Sequence, residues 1–289
     1  MNLKTITTIL KFIPLAVVVF FTAVLVHLDS FFHWGVPSIQ WGCKMLELFA
    51  LTFKPIEYSG DAFDTKDRAI IISNHFSDSD FLYMVKMMSD WAPHLLPQFV
   101  SKKEVSNIFP LGFSIRTFGG ATVTRKNPSY DLKQIHKMTR RRDGWPLLFP
   151  EGRVLREENL EWSAVKRDEL GIPQANHVLL PQPKGLASLI QSGEYDTIYD
   201  ITISYEGYQG GVHDLDNDLT PTAIHTVENK DVGKVFIDIQ RLELTKTDAT
   251  LQEVTDFLNN RWLIKDKRLD YFVEHQKFPT FEIDLETEN

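Results

Sequence analysis

The fold and the chemistry of this chain are decided by the stretch 69-AIIISNHFSDSD-80. The continuous apolar run Ala69–Ser73 predicts a strand covered on both faces, because a strand with one face in water would alternate apolar and polar residues. The chain then presents His75 and turns into a predicted helix whose first turn carries Asp80. Histidine can move protons near neutral pH, and a carboxylate across this turn can orient the imidazole. No activated Ser or Cys is evident beside this pair, so we expect the attacking nucleophile to be a substrate hydroxyl.

From residue 55 onward, strand and helix patterns alternate along the chain. We therefore predict a single α/β domain over residues 55–289, with a mostly parallel or mixed sheet flanked by helices. Active sites in such sheets collect in loops beyond the carboxyl ends of strands, which is where His75 stands. The predicted strands are 69–73, 98–101, 121–124, 146–149, 177–180, 198–205 and 234–244. The predicted helices are 80–89, 104–118, 130–141, 184–191 and 251–274.

The composition narrows the classes of protein. The chain has 289 residues, which suffice for one sizeable core, and a net charge of 31 − 39 = −8. This acidic balance argues against nucleic acid as a partner. The single cysteine, Cys43, excludes an intramolecular disulfide and a cysteine-based metal site. The stretch 213–218 resembles the start of a calcium loop, but it lacks the glycine and the glutamate that such loops need, so we predict no metal site.

The N-terminal 54 residues have a different character from the rest. Residues 12–26 form an uncharged apolar run preceded by Lys4 and Lys11, and no signal-peptide cleavage site follows it. At about 15 residues the run is short for a perpendicular membrane span, which needs roughly 20. A second apolar segment, 31–53, contains tryptophan and lysine at a density typical of interfacial helices. We predict that residues 1–54 form a hydrophobic, membrane-associated helical hairpin.

The charge pattern also predicts an orientation in the membrane. Lys4 and Lys11 favour a cytoplasmic N-terminus, and a hairpin would return the domain to the cytoplasmic side. A single-span anchor, which would place the domain on the other side, stays open as an alternative. We expect a bacterial inner membrane because the chain ends soon after the domain, with a eukaryotic endomembrane as the other choice.

Four motifs in order give the chain a family resemblance. They are Asn-His-x-x-x-x-Asp at 74–80, Gly-Gly-Ala-Thr-Val-Thr-Arg at 119–125, Phe-Pro-Glu-Gly at 149–152 and Leu-Leu-Pro-Gln-Pro-Lys-Gly at 179–185. With this order and spacing the chain resembles the glycerolipid acyltransferases, which include lysophosphatidate and other lysophospholipid acyltransferases. It is similar to the branch that contains the lysocardiolipin-type enzymes and their bacterial paralogues. The resemblance covers about residues 68–245.

The resemblance implies roles for the first two motifs. It implies that His75 is the general base, which removes the proton from a lysolipid hydroxyl as that hydroxyl attacks an acyl thioester. Asp80 is implied as the orienting carboxylate, and the family spacing selects it over the nearer Asp78. Arg125 is implied at the phosphate of the acceptor, where a guanidinium can bind two oxygens at once. Lys102 matches a basic position near that phosphate.

The roles of the other two motifs are more open. Glu151 either orders the site or hydrogen-bonds the acceptor, and Gly152 permits a close approach of the backbone. Arg153 stands where the family usually has a threonine, which leaves the acceptor headgroup open. Asn74 is expected to hold the turn at the substrate-binding side of His75. The segment 179–185 belongs either to the acyl-donor side of the site or to the shaping of the pocket, or it is a plain strand-to-helix turn.

Together the residues and the resemblance predict a membrane-associated O-acyltransferase. It moves a fatty acyl group from acyl-CoA or acyl carrier protein to the hydroxyl of lysophosphatidate or a related anionic lysophospholipid. Its partners are membrane lipids and the acyl donor, and the mechanism requires no metal or organic cofactor. A backbone N–H near Gly152 or in the turn 74–80 is expected to stabilise the oxyanion. Three alternatives stay open: glycerol-3-phosphate as acceptor, hydrolysis by an activated water, and a non-catalytic lipid-binding membrane protein.

Overall fold

A computed structural model describes residues 3–32, 38–49, 54–212 and 233–283. In this part of the chain the strands are β1 (Ile56–Gly60), β2 (Ala69–Ser73), β3 (Leu96–Lys102), β4 (Ala121–Val123), β5 (Gly144–Leu148), β6 (Thr197–Tyr205) and β7 (Val235–Glu243). The helices are α1 (Leu3–Phe32), α2 (Ser38–Phe49), α3 (Asp80–Trp91), α4 (Lys103–Ser106), α5 (Leu111–Thr117), α6 (Pro128–His136), α7 (Glu157–Leu170), α8 (Lys184–Ile190) and α9 (Leu251–His275), and a 3₁₀ turn spans Lys137–Arg140.

The strands form one mixed sheet in the order β1-β7-β6-β2-β5-β3-β4. β2 pairs in parallel with β5 and with β6, β5 pairs with β3, and β3 pairs with β4. β7 is antiparallel to β6 and parallel to β1. The parallel strands β2 to β6 therefore end at one edge of the sheet, where the loops that follow them come together. The predicted α/β domain with a mixed sheet flanked by helices is confirmed.

The core lies around the central strands and under the last helix. Every residue of β2, β5 and β6 is buried. α9 places Trp262, Lys265 and Arg268 in the interior, and the two cations pair with the buried carboxylates of Asp200 and Asp238. Because each of these buried charges has a partner, α9 can lie against the sheet without an uncompensated charge.

The two N-terminal helices pack against each other and against the domain, since α1 contacts α5 and α2 contacts α3. A Cβ at Gly42 would collide with the side chain of Thr22, so this glycine permits the close approach of α1 and α2. Ile39 and Cys43 of α2 are buried in one cluster with Leu96 at the start of β3. Within the described residues, no helix is both long enough and apolar enough to cross a membrane. The membrane-associated hairpin stays a prediction.

Some predicted elements differ from the observed ones. His177–Leu180 is not a strand, because its amides bond to side chains instead of a ladder: His177 N donates to Asp266 and Leu180 N donates to Ser163. The predicted helix 104–118 is divided into α4 and α5, since Pro110 lacks the N–H that a continuous helix needs. β1 and α7 are not among the predicted elements.

Candidate active site

His75 and Asp80 face each other across the turn between β2 and α3. His75 Nδ1 lies 2.8 Å from Asp80 Oδ2, and the backbone N–H of Ser77 donates to the same oxygen at 2.9 Å. Asp80 is fully buried, whereas 18 % of the His75 side chain is exposed. An ionised carboxylate only accepts hydrogen bonds, so it holds a proton on Nδ1 and leaves Nε2 as the nitrogen that can take a proton. This geometry suits a general base.

A third side chain in the environment of Asp80 comes from a distant part of the chain. The hydroxyl of Tyr205, the last residue of β6, donates to Asp80 Oδ1. Burial of Tyr205, followed by the charge of Asp80, raises the pKa of the phenol well above its usual range, so it stays protonated and donates. Our sequence predictions missed Tyr205 as a site residue, although it ends a predicted strand that runs parallel to β2.

The orientation of His75 depends on its two neighbouring strands. Its ring stacks on the ring of Phe149, with centroids 4.3 Å apart. Its backbone oxygen accepts from Leu155 N at 2.8 Å, which ties the turn to the loop after β5. The buried Asn74 side chain donates to Ile203 O at 3.0 Å and accepts from Ile203 N at 2.9 Å. Asn74 therefore holds the turn against β6, and its amide faces the protein interior, not the substrate side.

Arg125 reaches the site from β4, which lies three strands away from β2. Since adjacent strands lie about 4.8 Å apart, the side chain must cross the ends of two strands to approach His75. The Arg125 side chain extends past the end of β3 to the loop after β5, where its guanidinium donates to Gly152 O. The backbone of Arg125 has a φ of 59°, which is unusual for a residue with a side chain. Asp131, which was not among our predicted site residues, holds this conformation by accepting from the N–H groups of Thr124 and Arg125 at 2.7 Å each.

The same edge of the sheet carries further positive charge. Burial, followed by the charge of Arg153, lowers the pKa of Arg125. The guanidinium of Arg153 lies 4.7 Å from the centre of the Trp162 ring, and it donates to Asn159 at 3.2 Å. Lys102 is exposed at the end of β3. The nearby guanidinium groups of Arg125 and Arg153 give this edge a local positive charge, which attracts anions.

Glu151 lies behind this surface and not on it. Its side chain is 2 % exposed, and Trp262 Nε1 donates to its Oε1 at 3.1 Å. Burial raises the pKa of Glu151 to about 8, and the charge of Asp80 adds to this effect. At neutral pH the carboxyl group is therefore mostly protonated. The structure favours the first of the two predicted roles, the ordering of the site, over a direct contact with the acceptor.

The loop after β5 and the fourth motif lie side by side. Gly152 has a φ of 66°, and its N–H donates to Phe149 O at 2.8 Å. The predicted oxyanion donor at Gly152 is therefore already bonded within its own turn. Gln182 N donates to Pro150 O at 2.8 Å, which places the segment 179–185 directly beside the third motif.

In the parts of the chain that the structure describes, no group of three or more His, Cys, Asp or Glu side chains is arranged to hold a metal ion. The calcium-loop-like stretch 213–218 lies outside the described residues.

The chain has relatives among known proteins. A family model described as Acyltransferase matches residues 55–206, which is more than half of the chain. A protein of Arabidopsis thaliana named "Probable 1-acyl-sn-glycerol-3-phosphate acyltransferase 5" is 28% identical over 228 residues, which cover 77% of this chain and 58% of the relative. Lysocardiolipin acyltransferase 1 of Gallus gallus is 22% identical over 259 residues, which cover 86% of this chain and 66% of the relative.

The chain spans about 60% of the length of the curated relatives that it matches. Among solved structures, the 1-acyl-sn-glycerophosphate (LPA) acyltransferase PlsC from Thermotoga maritima shares the fold, with a TM-score of 0.56 and 15% sequence identity. That match covers 92% of this chain and 95% of the other. The predicted resemblance is confirmed by the family model and the named relatives, and the chain belongs to the acyltransferase family.

Proposed function

We propose that this protein transfers a fatty acyl group from acyl-CoA or acyl carrier protein to the hydroxyl of lysophosphatidate or a related anionic lysophospholipid. The observation that carries the proposal is the contact between His75 and Asp80 at 2.8 Å, beside an edge that presents Arg125 and Arg153. A base next to an anion-binding surface suits an acceptor that has both a hydroxyl and a phosphate. The named relatives act on acceptors of this chemical class, as their names state.

In the proposed reaction, Nε2 of His75 takes the proton of the acceptor hydroxyl while that oxygen attacks the thioester carbonyl. A carbon–oxygen bond forms and gives a tetrahedral oxyanion, whose collapse breaks the carbon–sulfur bond. The leaving thiolate takes the proton from His75, which returns to its neutral form. Asp80 stabilises the intermediate imidazolium through its negative charge and does not itself need to accept the proton. A general base in this position contributes about 100- to 10,000-fold in rate.

The positive edge binds the phosphate of the acceptor in this proposal. A planar guanidinium such as that of Arg125 can bind two phosphate oxygens at once, whereas the ammonium of Lys102 acts as a point charge. Burial lowers the pKa of Arg125, and the nearby positive charge of Arg153 lowers it further. An anion between them would remove the repulsion between their charges, and this change favours binding of the charged headgroup.

We also propose that the protein works at a membrane surface, where its acceptor resides. The exposed side chains Ile13, Val17 and Phe21 of α1 recur every four residues, which places them on one face of the helix. Ile108 and Phe109 extend this apolar surface, and the Phe109 ring packs against α1. Exposed apolar surfaces of this kind mark membrane or protein interaction sites. A cytoplasmic orientation and a bacterial inner membrane belong to the same proposal.

The experiment is an acyl-transfer assay with radiolabelled acyl-CoA or acyl carrier protein, offered to a panel of lysophospholipids and glycerol-3-phosphate. We expect labelled phospholipid from an anionic lysophospholipid. Labelled lysophosphatidate from glycerol-3-phosphate would select that acceptor instead. Free fatty acid without acylated lipid would show hydrolysis, and the absence of any product with either donor would favour a lipid-binding protein.

A further inference from the structure

One more side chain lies in the environment of the His75–Asp80 pair. β6 is paired with β2 up to Ser73 and Ile201, and it continues from there to Tyr205. The additional residues of β6 therefore run beside the turn that carries His75. The Tyr205 hydroxyl donates to Asp80 Oδ1, which is the carboxylate oxygen that does not contact His75.

The position of the Tyr205 hydroxyl is fixed by the backbone on both sides. The Asn74 side chain bonds to the N–H and the C=O of Ile203, so β6 is tied to the turn two residues before Tyr205. Alternate residues of a strand share a face, which directs Ile203 and Tyr205 to the same side. The Tyr205 ring meets the ring of Tyr83 on α3 edge-on, with centroids 6.2 Å apart. The hydroxyl thus comes from a rigid strand and not from a mobile loop.

We propose that Tyr205 is a positioning residue, which acts on His75 through Asp80. Its O–H occupies Oδ1 and holds the carboxylate in the orientation in which Oδ2 faces His75. A carboxylate held in this way accepts from Nδ1–H and leaves Nε2 as the accepting nitrogen. The inference rests on the role of the His75–Asp80 pair in the proposed function.

Removal of the hydroxyl changes the electrostatic environment of His75. The titratable groups around the pair are Tyr205 on β6, Tyr83 on α3, which meets Tyr205, and Glu151 after β5. Asp78 on the turn is exposed and pairs with Arg156 at 3.8 Å. In Tyr205→Phe the other groups remain, while the carboxylate loses one of its three donors and its negative charge is less neutralised. The protonated form of His75 is then stabilised more strongly. The pH midpoint at which His75 loses its proton should rise by up to about one unit, because only the part of this hydrogen bond that depends on the charge of His75 contributes.

The first experiment needs no catalytic activity. Diethyl pyrocarbonate reacts with unprotonated imidazole, so its rate at the peptide that contains His75, followed by mass spectrometry against pH, gives the midpoint for that residue in the full chain. We expect the midpoint in Tyr205→Phe to lie above that of the wild type, by up to about one unit. Tyr195→Phe is the matched control, because it removes a buried tyrosine hydroxyl two residues before β6, at the end of that strand opposite to Tyr205. Equal midpoints in all three proteins would overturn the inference.

A second variant guards against a folding defect in Tyr205→Phe. Site-specific incorporation of 3,5-difluorotyrosine at position 205 retains the shape and makes the hydroxyl a stronger donor. We expect this change to move the His75 midpoint downward, opposite to the effect of Tyr205→Phe. A midpoint that stays in place or moves upward would count against the role of Tyr205.

Kinetics then separate a positioning role from a merely structural one. In Tyr205→Phe we expect kcat to fall roughly 10-fold, KM for the lysolipid to stay within about twofold, and the acid limb of the pH profile to move with the His75 midpoint. A loss of kcat with an unchanged pH profile would contradict the inference. If the wild type transfers no acyl group but the midpoint still moves, the proposed function fails and the effect of Tyr205 on His75 stands.

Discussion

Glu151 gives a quantitative test of the environment behind the site. Its carboxyl group is buried, accepts from Trp262 and stands near the charge of Asp80. Burial raises its pKa from 4.5 to about 8 in the folded protein, whereas the unfolded chain returns the group to water. The folded state therefore keeps a proton that the unfolded state releases. The stability that this proton contributes is present at low pH and is lost as the pH rises from 4.5 toward 8.

The substitution Glu151→Gln removes this titration and keeps an oxygen for Trp262. The pH dependence of the difference between their free energies of unfolding then reports on Glu151, together with a smaller contribution from groups that interact with its charge, such as Asp80. With the two pKa values above, the advantage of the variant over the wild type should grow by about 3 kcal/mol between about pH 5 and about pH 7.5. Urea unfolding in a nonionic detergent, followed by tryptophan fluorescence, measures both free energies.

The matched control is Glu161→Gln, which makes the same chemical change at an exposed position of α7. Its difference from the wild type should stay constant over the same pH range. A difference for Glu151→Gln that is likewise independent of pH would show that Glu151 is ionised in the folded protein. That result would mean that burial does not raise the pKa of Glu151.

Three further predictions address the site and the apolar surface. Asp80→Asn should lower kcat by about 1,000-fold with little change in KM, because an amide does not stabilise the imidazolium of His75. Steady-state kinetics measure both constants, under conditions in which the variant and the wild type are equally folded. Arg125→Lys should raise KM for the lysolipid about 10-fold with a smaller effect on kcat, since an ammonium cannot bind two phosphate oxygens in one plane. An unchanged KM would show that Arg125 does not bind the phosphate. Val17→Glu on α1 should reduce the fraction of protein that floats with anionic vesicles, whereas Val165→Glu on α7, where the valine is comparably exposed, should not. Equal flotation of the two variants would contradict a membrane role for α1.

Much of the sheet could be predicted from sequence because its central strands are covered on both faces. Ala69–Ser73 is predicted with the observed bounds, and the predicted strand 198–205 begins one residue late. β1 was missed because Ile56–Gly60 has no continuous apolar run, and α7 was missed because Glu157–Leu170 is dominated by charged residues without an apolar stripe. The wrong strand at His177–Leu180 is an apolar run whose burial comes from loop packing and not from strand pairing.

The site was predictable where its residues are close in sequence and not where they are distant. His75 and Asp80 lie five positions apart, so their contact could be expected from the turn that joins them. Tyr205 is 125 positions from Asp80, and Trp262 is 111 positions from Glu151. Such contacts depend on the strand order and on the path of α9, which local patterns do not contain. For the same reason the sequence left open whether Glu151 faces the substrate or the interior.

If His75 is the base of an acyl transfer, its loss must suppress the reaction while the loss of a histidine outside the site must not, so His75→Ala is compared with His94→Ala. His94 is exposed and precedes β3, at the edge of the sheet opposite to the site. Transfer from a labelled acyl thioester to the preferred lysolipid is measured for both variants and the wild type, with thermal unfolding as a check of folding. We expect transfer to fall at least about 100-fold in His75→Ala and to be unchanged in His94→Ala. Transfer by a folded His75→Ala at the wild-type rate would show that His75 is not the base.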